Sequence, residues 1–198
     1  MNIGIDVDGV LTDIQGFHFK YAPLFFKKFF KRNVVNSLAL NVEDIFNCTE
    51  KESLIYWKKH LLKYVITEPV RKDAQNIVCK LRSNGHKIYI ISKRVFTCQD
   101  DFLGKLMRFF LKSWLWRNKI KYHGIVFCDN SVTDSKKKAC QDKHIDLMID
   151  DEEVNINAIS PITKVICFNT SYNKNCSGNN IVKAGTWNEV YELIEKKM

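Results

Sequence analysis

Five short apolar runs, at 3–7, 87–92, 125–128, 145–150 and 164–168, alternate with longer stretches of helical periodicity. This alternation limits what the chain can fold into more than any other feature. Runs that are apolar at successive positions bury both faces and belong inside a sheet. Strands separated by helices predict a parallel, Rossmann-like α/β sheet flanked by helices. Such sheets bind ligands at the carboxyl ends of their strands. Asp6, Ser92 and Asp150 each stand at such an end, so the topology can bring three distant polar side chains to one edge.

The first run carries the most chemistry. Asp6 and Asp8 are two apart, and on extended backbone their side chains share one face. Two carboxylates at a buried strand end are costly unless positive charge neutralises them. A divalent cation does so, and oxygen ligands suit Mg²⁺. Gly9 allows a sharp backbone turn where a side chain would block a ligand.

Between the first run and the second the chain changes character. Phe17, Tyr21, Leu24, Phe25 and Phe29 recur at helical spacing, as do Leu54, Trp57, Leu61 and Tyr64. The organisation expected is a core domain at 1–13 and 70–198, with a small helical cap inserted after the first strand at 14–69. Thr49 and Glu52 have capping-box spacing. The basic aromatic segment 25–32 is expected to supply cap core and a wet lysine face, with a membrane or homodimer contact as the alternatives. Further helices are expected at 71–84 after Pro69, at 102–116 with Leu103, Leu106, Phe109, Phe110 and Leu115 as packing residues, at 135–143, and after a Thr186–Glu189 capping box. Segment 169–178 is polar and reads as loop.

Composition excludes several classes. With 198 residues, 45% of them hydrophobic, the chain can bury a sizeable core. No apolar run is long enough for a transmembrane segment. The first strand begins at Asn2, leaving no room for a signal peptide. Seven scattered cysteines without Cys-x-x-Cys pairing fit reduced thiols, and a cytoplasmic location is expected. The net charge of +9 raises the question of nucleic acid, but the lysines form no single block. No nucleic-acid partner is expected. A positive field equally suits a small phosphorylated substrate.

The stretch Asp6-Val-Asp8-Gly-Val-Leu-Thr-Asp13 resembles motif I of the haloacid dehalogenase-like (HAD) phosphohydrolases. Three further motifs follow in the family's order: Ser92 after Tyr89-Ile90-Ile91, a lysine at 136–138, and Asp150-Asp151 after Ile149. The resemblance implies an HAD fold and a Mg²⁺-dependent phosphatase. Asp6 would be the nucleophile that forms an aspartyl-phosphate. Asp8 would be general acid, then base. Ser92 would bind a phosphoryl oxygen, and Lys93 and Arg94 follow it as substrate-binding candidates. Arg94 has a solvated surface charge as its alternative reading. The family's spacing favours Lys136, with Lys137 and Lys138 as alternatives. Asp6, Asp151 and the backbone carbonyl of Asp8 would ligate Mg²⁺, and Asp150 would hold a metal-bound water or the lysine. Asp13 is expected to cap the first cap helix.

The insertion, Pro69-Val70-x-x-x-Ala74, Ile90-Ile91-Ser92-x-Arg94 and the 145–151 stretch look like the 5′(3′)-deoxyribonucleotidases and their bacterial relatives. Phe17, Phe19, Tyr21 and Trp57 are candidates to stack on a base or to fill the cap core. The motif I octet also occurs in 3-deoxy-manno-octulosonate 8-phosphate phosphatases, which lack a large cap. A phosphatase of small phosphorylated metabolites, in particular a nucleotidase, is the leading expectation. A sugar- or polyol-phosphate phosphatase and a non-catalytic basic binding protein on the same fold are the alternatives.

Overall fold

The structure, a computed structural model, describes residues 1–196. Its elements run β1 (Asn2–Ile5), α1 (Ile14–Phe30), α2 (Val42–Phe46), α3 (Glu50–Thr67), α4 (Ala74–Ser83), β2 (Lys87–Ser92) and α5 (Phe102–Arg117). They continue with β3 (Gly124–Phe127), α6 (Ser135–Asp142), β4 (Leu147–Asp150), α7 (Glu153–Ile159), β5 (Lys164–Phe168), β6 (Ile181–Ala184) and α8 (Trp187–Glu195). The described residues divide into two compact units, one of residues 1–12 and those from Val70 onward, the other of residues 13–69.

The larger unit is a six-stranded sheet in the order β3-β2-β1-β4-β5-β6, with every neighbouring pair parallel. Alternate side chains of each strand enter opposite cores. Ile3, Ile5, Ile88, Ile90, Leu147 and Ile149 pack on one face beneath Leu81 of α4, Trp114 of α5 and Trp187 of α8. Ile91, Met148 and Val165 pack on the other beneath Ala139 of α6 and Ile156 of α7. Each such side chain contributes about 1.5–3 kcal/mol when fully buried, so the two cores fix the register that aligns the strand ends.

The chain leaves this unit after Thr12 and re-enters it at Val70. Arg71 N–H donates to the carbonyl of Leu11 at 2.8 Å, so the two crossings are joined by a backbone hydrogen bond.

The smaller unit is helical, with an aromatic interior. Phe17, Phe25, Phe26, Phe46 and Tyr56 are buried, and Phe26 stacks on Phe46 with centroids 4.5 Å apart. Asp13 caps α1 by accepting from Gly16 N–H at 3.0 Å. Thr49 and Glu52 form both bonds of the capping box. In segment 25–32 the lysines are exposed while Phe25 and Phe26 are buried.

Several expectations need correction. β1 ends at Ile5, not residue 7, because Asp6 makes one last bond to Ile149 and the chain then coils on itself. α4 begins at Ala74, not 71, since Asp73 stands at φ +64°. The buried row of α3 is Ser53, Tyr56, His60 and Tyr64, while Leu54 is exposed. In α5 the buried row is Gly104, Met107, Leu111, Trp114 and Leu115, and Leu103 and Phe109 are exposed. Glu189 accepts from Gly185 N–H rather than Thr186 N–H, so the start of α8 has only half a capping box. The edge strand β6 was not expected at all.

Candidate active site

β1 lies between β2 and β4, and the sheet is built outward from it in both directions. This is the switch point at which open α/β sheets leave a crevice. Asp6 follows β1, Ser92 ends β2 and Asp150 ends β4, so the three meet there.

The loop after β1 is wound tightly. Leu11 and Thr12 N–H both donate to the carbonyl of Val7, and the Thr12 hydroxyl donates to it at 3.1 Å. Gly9 stands at φ +95°, where a Cβ would fall 1.9 Å from Asp151 Oδ2. Glycine is therefore required by both backbone conformation and space. Arg71 Nε clamps the loop from outside, donating to the carbonyls of Gly9 at 3.0 Å and Thr12 at 3.1 Å.

Lys136 is buried and bridges two acids, its ammonium 2.6 Å from Asp150 Oδ2 and 3.0 Å from Asp6 Oδ1. Lys137 is half-buried, and Lys138 is exposed and paired with Asp142 at 3.1 Å. Asp150 also accepts from Glu152 N–H at 3.0 Å and Asn155 Nδ2 at 3.4 Å, so both its oxygens are engaged. Asp151 accepts from the Tyr172 hydroxyl. Asn173 Nδ2 donates to the backbone carbonyls of Asp151 at 2.7 Å and Phe168 at 2.8 Å. Asp151 Oδ1 is buried without a hydrogen-bond partner among the described residues.

Burial pushes the Asp6 carboxyl up to about 7; Lys136 opposes the rise, and Asp150 and Asp8 add to it. Burial, with Asp150 and Asp6, also holds Asp151 well above the usual carboxylate range. Burial works against the charge on Lys136, but Asp150 and Asp6 outweigh it and keep the ammonium above its ordinary value.

Asp8 and Arg94 form a second pair. Arg94 Nε lies 3.1 Å from each Asp8 oxygen, and Nη2 also donates to Oδ1. Arg94 is buried, which removes the solvated-charge reading. Ser92 Oγ accepts from Arg94 N–H at 3.1 Å, leaving its hydroxyl hydrogen to be donated. Lys93 Nζ instead donates to the carbonyl of Thr133 at 3.0 Å.

The acids fit a divalent cation. Oxygens of Asp6, Asp150 and Asp151 lie within 4.8 Å of one another. Among the described residues the buried carboxylates of Asp6, Asp150 and Asp151 gather beside Lys136, and Asp8 pairs with Arg94. Asp151 Oδ1, buried and without a hydrogen-bond partner among the described residues, is a hard oxygen donor suited to such an ion.

Tyr172, Asn173 and Arg71 were not anticipated as site residues. Tyr172 was discoverable only as the single aromatic in the polar run 169–180.

The parallel sheet flanked by helices, with acids gathered at the carboxyl ends of its strands, is the fold of HAD-superfamily phosphatases. The chain belongs to the family described as 5′ nucleotidase, deoxy (pyrimidine), cytosolic type C protein, whose profile matches residues 1–198. It is 23% identical, over 99% of its length and 94% of the relative's, to a protein named nucleotidase from Clostridium acetobutylicum. Among solved structures it is similar to a predicted phosphatase from the same organism, with a TM-score of 0.62, 18% identity and 98% of each chain covered. It is also similar to a D,D-heptose 1,7-bisphosphate phosphatase from B. bronchiseptica complexed with magnesium and phosphate, with a TM-score of 0.56, 8% identity and 100% of each chain covered. Phe17, one of the candidates for base stacking, is buried within the helical unit. No helix among the described residues is long and apolar enough to cross a membrane.

Proposed function

We propose that this chain is a Mg²⁺-dependent nucleotidase that removes phosphate from a nucleoside monophosphate through a phosphorylated Asp6. The observation that carries the reading is Lys136, buried between Asp6 and Asp150, beside Asp151, one of whose carboxylate oxygens has no hydrogen-bond partner among the described residues. The family's description and the Clostridium relative support nucleotides as the substrate class and the cytoplasm as the location. The neighbour complexed with magnesium and phosphate supports the metal.

In this reading Asp6, Asp151 and the backbone carbonyl of Asp8 hold the Mg²⁺. When bound, the ion offsets the repulsion between carboxylate and phosphate. Asp150 serves instead to hold Lys136, because both its oxygens are engaged.

Asp6 attacks the phosphorus, and the ester P–O bond breaks. As Arg94 turns to the phosphate, Asp8 takes up a proton from solvent and gives it to the departing 5′-oxygen. Water then attacks the phosphorus, Asp8 takes its proton, and the bond to Asp6 breaks. Ser92 donates its hydroxyl hydrogen to a phosphoryl oxygen, and Lys136 stabilises the charge that builds up in both steps. Arg94 orients Asp8 and offers its guanidinium to the incoming phosphate.

The test is phosphate release from nucleoside monophosphates and sugar phosphates, with Mg²⁺ or chelator, for the wild type and Asp6→Asn. Mg²⁺-dependent release from nucleotides, lost in the variant, supports the proposal. Preference for sugar phosphates overturns the nucleotidase part. Full activity of Asp6→Asn overturns the nucleophile.

A further inference from the structure

The loop after β1 is held by its carbonyls. Arg71 N–H donates to the carbonyl of Leu11 at 2.8 Å, and Arg71 Nε shares its hydrogen between the carbonyls of Gly9 at 3.0 Å and Thr12 at 3.1 Å. Trp187 Nε1 donates to the carbonyl of Val10 at 3.3 Å. The four carbonyls from Gly9 to Thr12 are thus held by two residues outside the loop, and Phe168 links those two. The Arg71 guanidinium lies 5.2 Å from the centroid of the Phe168 ring, and that centroid is 6.1 Å from that of Trp187.

The Nε bonds close the turn that carries Asp8. Gly9 follows Asp8 directly, and Asp8 pairs with Thr12 in an isolated bridge. Glycine has the widest backbone freedom, so a turn built on it keeps one conformation only when something outside holds it. One donor shared between Gly9 and Thr12 supplies that hold. The Asp8 carboxylate is held separately, by Arg94. In the mechanism above Arg94 turns to the phosphate, so its hold on Asp8 is released in the very step that needs Asp8 in place. The hold through Arg71 acts on the backbone and persists.

We infer that Arg71 is a positioning residue of the phosphatase reaction, which clasps the turn after Asp8 and so keeps that carboxyl aimed at the departing oxygen. The inference rests on the proposed role of Asp8 as general acid. Such an acid contributes about 10²–10⁴-fold, and a displacement of about 1 Å forfeits much of it.

The test uses two substrates that differ in their need for a proton. A nucleoside monophosphate releases an alcohol, whose oxygen must be protonated as it leaves. 4-Nitrophenyl phosphate releases a stabilised phenolate that leaves without one. kcat/KM, which reports the transfer to Asp6, is measured for both at saturating Mg²⁺. For Arg71→Met, with circular dichroism unchanged, the nucleotide value should fall about 30-fold and the nitrophenyl value less than about threefold. Arg71→Lys keeps a donor near the two carbonyls and should recover part of the nucleotide loss. If Arg71→Met does not fold, Arg71→Lys carries the same comparison between substrates. Equal losses for both substrates, or none for either, overturn the inference, because a general loosening of the fold has no preference for a leaving group. Asp8→Asn should show the same bias more strongly. If it does not, the acid role of Asp8 fails and the inference falls with it.

Discussion

The hydroxyl of Tyr172 donates to the carboxylate of Asp151, joining a loop beyond β5 to the acid that follows β4. The bond takes one oxygen of Asp151 and leaves Oδ1 to the site. Tyr172→Phe keeps the ring and removes only the donor. Hydrogen bonds to metal ligands typically contribute 10–100-fold in affinity. The variant should bind Mg²⁺ about tenfold or more weakly in calorimetry without nucleotide, with the fold intact by circular dichroism. An unchanged affinity would show that the phenol only fills space.

Lys136 is paired with two of three clustered buried carboxylates, Asp6 and Asp150. Lys136→Met should destabilise the protein by about 3 kcal/mol, because buried charges lose their partner. Turnover should fall at least a hundredfold, as expected when charge stabilisation of a transition state is removed. Urea unfolding and steady-state kinetics check the two effects separately. A variant of wild-type stability would mean that the acids are neutral without it.

Arg94 grips Asp8 with three hydrogen bonds. A guanidinium that both orients the acid and meets the substrate should affect two constants. Arg94→Ala is expected to raise KM and lower kcat, with kcat/KM falling about 100-fold, or about 3 kcal/mol. Arg94→Lys should recover little, because a single ammonium cannot replace a bidentate fork. A pure KM effect would confine Arg94 to binding.

His18 is buried in the helical unit, with Nδ1 3.2 Å from the Tyr56 hydroxyl and its ring edge-on to Trp57. Burial lowers its pKa from 6.5 to about 4. Between those values the unfolded chain binds a proton that the folded chain does not, so stability falls as pH drops through this window. The loss reaches about 3 kcal/mol near pH 4 and does not grow below it. Denaturation midpoints at pH 7, 5.5 and 4 should drop more steeply for wild type than for His18→Gln. Parallel slopes would mean that His18 titrates normally.

The sheet and its polar edge were legible because each depends on a local pattern. A short apolar run ending in Asp6, Ser92 or Asp150 announces both a strand and its polar end. Periodicity announces a helix, but it fixes the buried side only when one side is apolar. α5 carries Phe102, Phe109 and Trp116 opposite its core row, so Phe109 was misread as packing. α3 buries His60 while exposing Leu54, against the usual ranking. β6 has four residues, one of them fully buried, and too little apolar character to stand out from a polar stretch. The Tyr172–Asp151 bond spans 21 residues and depends on how a loop returns to the sheet, which no local pattern encodes.

The hydrogen bond from Arg71 N–H to Leu11 has a consequence for how such a protein can change. It closes the sheet's chain path across the insertion, so the intervening residues form a cassette with adjoining ends. A cassette of this kind can be exchanged, lengthened or shortened while the strands keep their register, since the cost of closing a loop grows only slowly with its length. The strands and the two joined ends can then be inherited whole while the residues between them diverge.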